Sequence, residues 1–246
     1  MKSLILCEGI TDFTLLQYFM IEVYGWHECS PQERLPKNSL ERSRTLKKGK
    51  NKLVIGSCGG CSKILSKLDK FLKQNKWAVN SEEFFDKFVI VTDRDELSTE
   101  KEFIESLDDK LQEYDIELEQ KIENDKWISY SYINDIGESH DSEILLLMIP
   151  FEDTGAMETF LLNTIKSKDY YDGQIIDKGN EFVDHIDKEK RYLKHRRDIT
   201  KAKFDVYFSV RTSATQFGER QNILRGIEWK EYLSIQKCFN KLKDLE

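Results

Sequence analysis

The chain has 246 residues, enough for one large domain or for a core carrying a substantial extension. Hydrophobic residues make up 39%, aromatics 11% and charged residues 34%, so a real core lies under a heavily charged surface. The three prolines exclude long Pro-rich linkers, and the formal charge of −7 speaks against a generally basic nucleic-acid binder. The longest apolar run, Ile144 to Ile149, is only strand-sized, which predicts no membrane span. Met1-Lys2-Ser3 leads at once into Leu4-Ile5-Leu6 and an acid, without the apolar stretch of a signal peptide. Five irregularly spaced cysteines do not make a disulfide framework in a chain this long. The expected setting is the reducing cytoplasm.

In chain order, Ser3 to Cys7 reads as a strand buried on both faces and closed by Glu8-Gly9. Thr11 or Asp12 can cap a helix in which Phe13, Leu15, Leu16, Phe19, Met20 and Val23 share a side. From Gly25 to Asn51 the pattern becomes polar and basic, with Pro31 and Pro36, and is read as a long loop or insertion. Leu53-Val54-Ile55 is a second strand, closed by Gly56 to Gly60, and Ile64, Leu65, Leu68, Phe71 and Leu72 mark the following helix. Phe88 to Val91 is a third strand ending in Thr92-Asp93-Arg94-Asp95, followed by a helix from Glu102 to Leu118 and a fourth strand from Trp127 to Ile133.

Beyond Asp135, Leu145 to Ile149 is another strand, closed by Pro150, and Gly155 opens a helix reaching Ile165. Lys166 to Arg197 is polar and partly helical; Phe204 to Phe208 fits strand or helix; Ile227 to Leu245 is read as one helix. The fold class expected is α/β, a mostly parallel sheet flanked by helices over residues 1–150, with a largely helical C-terminal extension over 151–246 packed on it.

In such sheets the loops leaving the carboxyl ends of the strands form the ligand site, and Glu8 and the Asp93/Asp95 pair both stand at such ends. Alternate residues of an extended segment point the same way, so Asp93 and Asp95 can face one ion while Arg94 points elsewhere. Mg²⁺ is commonly held by one or two carboxylates and keeps several waters. The competing reading is that these acids only finish a strand and cap the next helix.

The residues Leu4 to Asp12, an apolar strand ending in Glu-Gly before a helix, resemble the first motif of TOPRIM domains. Val89 to Asp95 resembles the second, the Asp-x-Asp strand end, and Val54 to Gly60 resembles the Gly-rich turn between them. The similarity covers about residues 1–135, in the right order. Met148-Ile149-Pro150 and Gly155 to Leu162, with Lys201-Ala202-Lys203, are similar to segments of small stand-alone bacterial TOPRIM-like proteins, distantly akin to OLD-type nucleases of phage or plasmid defence. The resemblance implies that Glu8 acts as an acid/base or metal-binding carboxylate and that Asp93 and Asp95 bind Mg²⁺ or Mn²⁺, with Asp12 placed to help a second ion. Asp12 fits equally as a helix cap, and Glu96 and Glu158 equally as acids in a helix's first turn. The activity implied is Mg²⁺-dependent phosphodiester chemistry on nucleic acid, nuclease-type; the alternative is a non-catalytic module binding a nucleotide, nucleic acid or protein. No context for a nucleophilic tyrosine is evident, which disfavours topoisomerase chemistry.

Two basic stretches offer contacts to DNA or RNA. One, between Arg34 and Lys52, holds Lys37, Arg42, Arg44, Lys47, Lys48 and Lys50; the other runs from Lys188 through Lys190, Arg191, Lys194, His195, Arg196, Arg197 and Lys201 to Lys203. Either can equally be a solvated face. Cys58-Gly59-Gly60-Cys61 stands after a strand and before a helix, where a dithiol redox pair would sit. No Trp precedes Cys58, however, and no proline is placed to partner such a site. A zinc site from His27, Cys29, Cys58 and Cys61 has suitable ligand types and poor spacing.

Overall fold

The computed structural model describes residues 1–30, 40–80, 83–213, 224 and 226–246. In chain order its main elements are β1 (Lys2–Cys7), α1 (Ile10–Tyr18, continued by a π-helical turn Phe19–Val23), β2 (His27–Glu28), β3 (Arg42–Lys48) and β4 (Asn51–Ser57). Next come α2 (Cys61–Trp77), β5 (Lys87–Asp93), α3 (Thr99–Gln112), β6 (Glu117–Leu118), β7 (Trp127–Ile133) and β8 (Ser139–Ile149). The chain ends in helices α4 (Met157–Lys168), α5 (Tyr170–Ile186), α6 (Arg196–Arg211) and α7 (Leu233–Phe239), the last flanked by 3₁₀ turns Trp229–Glu231 and Asn240–Leu245. No helix among the described residues is long and apolar enough to cross a membrane.

The eight strands form one sheet in the order β2-β3-β4-β1-β5-β8-β7-β6. Its four central strands, β4, β1, β5 and β8, run parallel, while the outer pairings are all antiparallel. The expected parallel character therefore holds only at the centre. The physical reason is connection length: parallel neighbours need a crossover, whereas β3 and β7 reach their partners by hairpins. The β3–β4 hairpin closes in two residues, of which Gly49 takes φ 58, a left-handed conformation glycine adopts without strain.

Side chains alternate across the central strands, and the two faces collect two cores. Leu4, Leu6, Val54, Phe88, Ile90, Ile144 and Leu146 pack with α2 and α3. Ile5, Cys7, Leu53, Ile55, Val89, Val91, Leu145 and Leu147 pack with α1 and with Leu161, Phe204, Tyr207, Trp229 and Phe239 of the C-terminal helices. The C-terminal helices thus share a single hydrophobic core with α1 and one face of the sheet.

Three readings of the sequence are corrected. The segment from Gly25 to Asn51, expected as a long loop or insertion, holds two strands among its described residues; β3 lies near the sheet edge, where Lys and Arg are common and discourage further pairing. Two of its cations have internal partners: Arg44 donates to Gln17 Oε1 and Glu28 Oε2, both at 3.2 Å, and Lys48 to the carbonyl of Tyr24 at 2.9 Å and to Glu246. Pro31, Arg34, Pro36 and Lys37 lie outside the described residues. The C-terminal stretch is not one helix but two 3₁₀ turns around α7. Trp229, Tyr232, Ile235, Cys238, Leu242 and Leu245 are all buried and recur mostly at intervals of three, the period of a 3₁₀ turn rather than of an α-helix. Finally, α3 stops at Gln112, short of Leu118, where the chain turns through Asp115 at φ 55 into β6.

Candidate functional site

The sheet order dictates where a crevice opens. From β1 the chain leaves over one face through α1 toward β4; from β5 it leaves over the opposite face through α3 toward β8. Adjacent strands whose connections diverge to opposite faces leave a gap beyond their carboxyl ends. Glu8 directly follows β1 and Asp93 ends β5, so the two acids border that gap.

Local bonding fixes them there. The Glu8 N–H donates to the Val91 carbonyl at 3.2 Å, and Thr92 Oγ1 donates to Glu8 Oε2 at 3.2 Å. The backbone N–H groups of Gly59 and Gly60 both donate to the Glu8 carbonyl at 3.0 Å. These glycines take φ 80 and 128, and a Cβ on Gly59 would meet Glu41 Oε2 at 2.6 Å. The Gly-rich turn therefore binds the start of α2 to the end of β1. Asp93 Oδ1 accepts the N–H of Met157 at 3.0 Å, tying β5 to the first turn of α4.

Asp12 does not cap α1. Gly9 holds that place, and the Asp12 carboxylate reaches back to accept the Gly9 N–H at 2.7 Å, as the third residue of a capping box does. Thr11 Oγ1 donates to Glu158 Oε1 at 2.9 Å, a buried link between α1 and α4. Glu158 lies in the first turn of α4, as read from the sequence, but it is buried rather than on the surface.

Burial and mutual repulsion press on these carboxyls. Burial, aided by Glu158 and Glu8, pushes Asp12 up to about 7 against the opposing Gly9 N–H and Lys201. Asp93 lies well above the ordinary carboxylate range through burial first, then the charges of Asp12, Glu8 and Glu158. Glu8 is raised by burial and by Asp95, an effect countered by the Thr92 hydroxyl and the N–H groups of Asp93 and Cys61. A like-charged group held away from water favours a proton or a cation nearby.

These acids line one wall of a cleft of about 850 Å³, together with Asp95 and Glu96. Arg94, between the two aspartates, points away as expected and binds Glu100 and the Phe151 carbonyl. The same cleft is lined by basic residues, His195, Arg196, Arg197 and Lys201 from the start of α6, and Arg42 from β3 adds a further cation. Arg196 Nη1 donates to the Asp95 carbonyl at 2.9 Å, tying the start of α6 to the acidic segment after β5. All four acids singled out from the sequence, Glu8, Asp12, Asp93 and Asp95, thus meet in one cleft. Among the described residues, however, no three His, Cys, Asp or Glu side chains stand close enough together to hold a metal ion as placed. His27, Cys29, Cys58 and Cys61 accordingly form no zinc site.

Thr11, expected as a possible helix cap, instead bonds to Glu158, and Thr92 bonds to Glu8; neither carries a local sequence signal for holding an acid. Nor does any local pattern bring the basic stretch around His195 to the carboxylates' cleft. The Cys58 thiol is buried and pushed up to about 12, chiefly by desolvation, and the half-buried Cys61 is raised by burial and by neighbouring acids. Redox-active dithiols show the opposite shift.

A family model described as "Protein of unknown function (DUF3226)" matches residues 2–240. No curated protein matches the chain. Among solved structures it is similar to hypothetical protein PH0156 from Pyrococcus horikoshii OT3, with 18% identity and a TM-score of 0.53, covering 99% of this chain and 91% of that one. That likeness is one of fold. Lactoylglutathione lyase from Agrobacterium tumefaciens aligns at 14% identity over 58% of this chain and 91% of that one, with a TM-score of 0.17. A glyoxalase family protein from Bacillus anthracis aligns at 14% over 59% and 94%, with a TM-score of 0.20.

Proposed function

The chain belongs to the DUF3226 family, and we propose from its cleft that it carries out Mg²⁺-dependent, TOPRIM-type phosphodiester chemistry on nucleic acid. The single observation that carries this reading is the placement of Glu8 and Asp93 at adjacent parallel strand ends, in a cleft that cations from the start of α6 also line. Its further support is electrostatic. Asp12, Asp93 and Glu8 repel one another in a partly buried space, and a divalent cation relieves what protons otherwise must.

The donor set suits Mg²⁺ or Mn²⁺ in an open form. Hard oxygen donors are all that the acidic wall offers, and Mg²⁺ needs only one or two protein carboxylates, with water and phosphate oxygens completing its shell. A closed cage of three or more ligands is therefore not required, which fits the dispersed carboxylates. When bound, the ion supplies charge stabilisation at a phosphoryl oxygen and a more acidic bound water. The chain itself does the rest. Glu8, held by Thr92 and raised in proton affinity, is poised to accept a proton, while Arg196, Arg197 and Lys201 hold phosphate in the same cleft.

The test is cleavage of DNA and RNA, single- and double-stranded, with Mg²⁺ or Mn²⁺ by the wild type and by Asp93→Asn. Metal-dependent cleavage lost in the variant is expected; equal cleavage by both, or none by the wild type, overturns the reading. One observation favours a second reading, a non-catalytic binding module: as placed, no three ligands converge among the described residues. Titration calorimetry with Mg²⁺ separates the two, because a pure binding module shows no metal uptake that depends on Glu8 and Asp93.

A further inference from the structure

The connection between α5 and α6 has a feature that the cleft alone does not use. Asp187, just past α5, accepts the backbone N–H groups of Arg191 at 3.0 Å, Tyr192 at 2.8 Å and Leu193 at 2.7 Å. The Lys190 N–H returns to the Asp187 carbonyl at 2.9 Å, and Lys190 takes φ 52, a left-handed conformation unusual for a residue with a Cβ. A surface loop is thus fixed by one carboxylate, with half-buried Leu193 turned inward.

What this fixed loop displays is an aromatic ring among cations. Tyr192 is 73% exposed, and the Arg191 guanidinium lies over its ring, 5.3 Å from the centroid. From residue 187 to 203 the sequence holds eight Lys or Arg against three acids, on a chain whose total is −7. Three residues after Tyr192 comes His195, which already lines the cleft with Arg196, Arg197 and Lys201. By chain length Tyr192 lies within about 11 Å of it.

An exposed ring among cations, with Arg191 over it, is the pattern that binds unpaired bases: the ring stacks a base, and the cations track the backbone. A duplex hides its base faces. The cleft volume, about 850 Å³, is of the size that encloses a small ligand rather than a helix of paired strands. We infer that the 187–195 loop is a stacking platform that leads single-stranded nucleic acid, across Tyr192 and Arg191, to the acidic cleft. The substrate class assigned to the site is then a single strand or a frayed end, and that assignment rests on the reading of the cleft given above.

The experiment is fluorescence anisotropy on the full chain in EDTA, with labelled oligothymidine, oligouridine and a blunt duplex of equal length. Tyr192→Ala is expected to weaken single-strand binding by roughly tenfold, within the range of one lost base stack. Tyr192→Phe, which keeps the ring, is expected to bind as the wild type does. Arg191→Ala is expected to lower the slope of log Kd against log salt by about 0.7, one phosphate contact on a single strand. The relative affinity for the two oligomers tells DNA from RNA. Unchanged binding by Tyr192→Ala, equal loss in Tyr192→Phe, or duplex bound as tightly as single strand overturns the inference. Because no metal is present, the outcome is independent of cleavage. If cleavage depends on Asp93 while Tyr192→Ala binds normally, the platform fails and the cleft reading stands. Ring-dependent single-strand binding without cleavage under any metal does the reverse: the platform stands and the cleft reading fails.

Discussion

Asp93 caps a helix that lies 64 residues further along the chain: its Oδ1 receives the N–H of Met157 at 3.0 Å. The residue before that helix, Ala156, has no side chain able to do so. One carboxylate thus serves the first turn of α4 and the acidic wall of the cleft at once.

The two duties separate by substitution. Asp93→Asn keeps an acceptor for Met157 and removes a charge that Asp12, Glu8 and Glu158 oppose. In EDTA it is expected to stabilise the protein by roughly 0.5–2 kcal/mol, the usual trade between a functional charge and stability. Asp93→Ala also loses the cap, and should fall about 1 kcal/mol below the Asn variant. Urea unfolding with and without Mg²⁺ reads both effects. A metal-free Asn variant less stable than wild type means that repulsion from Asp12, Glu8 and Glu158 does not add to the burial that raises Asp93.

Asp12 makes stability depend on pH in a direction opposite to a salt-bridged acid. Its ordinary value is 3.8, and in the folded chain it is raised to about 7. Between those values the folded chain keeps a proton that the unfolded chain has lost, so raising the pH favours unfolding. The contribution is fully present below about 3.8 and gone above about 7. In EDTA the melting temperature is expected to fall from about pH 5 to about pH 8, with a flatter profile in Asp12→Asn. Added Mg²⁺ should flatten the wild-type profile as well, since the ion takes the place of the proton. A wild-type curve that climbs through this range rules out a proton held at Asp12.

How much of this could be read locally follows from where the information lies. β1 and β5 are buried on both faces, so Leu4 to Cys7 and Phe88 to Val91 are apolar runs that end one or two residues before an acid. Those stops mark Glu8 and Asp93 plainly. β3 was illegible because Arg42, Arg44, Lys47 and Lys48 are tolerated near an edge, and its identity as a strand depends on pairing with β4. The basic lining of the cleft was illegible as such: Arg196 reaches the Asp95 carbonyl across 101 positions of sequence, and no local pattern encodes that meeting. The outer hairpins likewise depend on pairing, so alternation of strand and helix overstated how parallel the sheet is.

The Thr11–Glu158 bond predicts that α1 and α4 are coupled through the site. The bond is buried and 2.9 Å long. Thr11→Val preserves shape and removes the donor, which for a hydrogen bond to a charged group costs about 1.5–3 kcal/mol. Glu158→Gln should rescue part of that loss in the double variant, because a neutral amide left without the hydroxyl is less costly than a carboxylate. Additive losses in the double-variant cycle, measured by denaturant unfolding, remove the coupling.

The thiols give a final prediction, since Cys58 and Cys61 flank the turn that holds Glu8. Burial pushes Cys58 up to about 12, and Cys61 is raised by burial and by Glu8, Asp95 and Asp93, offset in part by the Thr92 hydroxyl 3.5 Å from its sulfur. The thiolate is the reactive form, so both cysteines should alkylate more slowly with iodoacetamide at neutral pH than free cysteine does. Cys61 should react first because it is only half-buried, and Cys58 only on unfolding. Cations near the acidic wall, Mg²⁺ included, should speed Cys61 by offsetting the neighbouring carboxylates. Mass spectrometry after timed labelling checks each step. Fast labelling of both thiols, or a disulfide between them that forms reversibly under a glutathione buffer, returns the Cys58–Cys61 pair to redox chemistry.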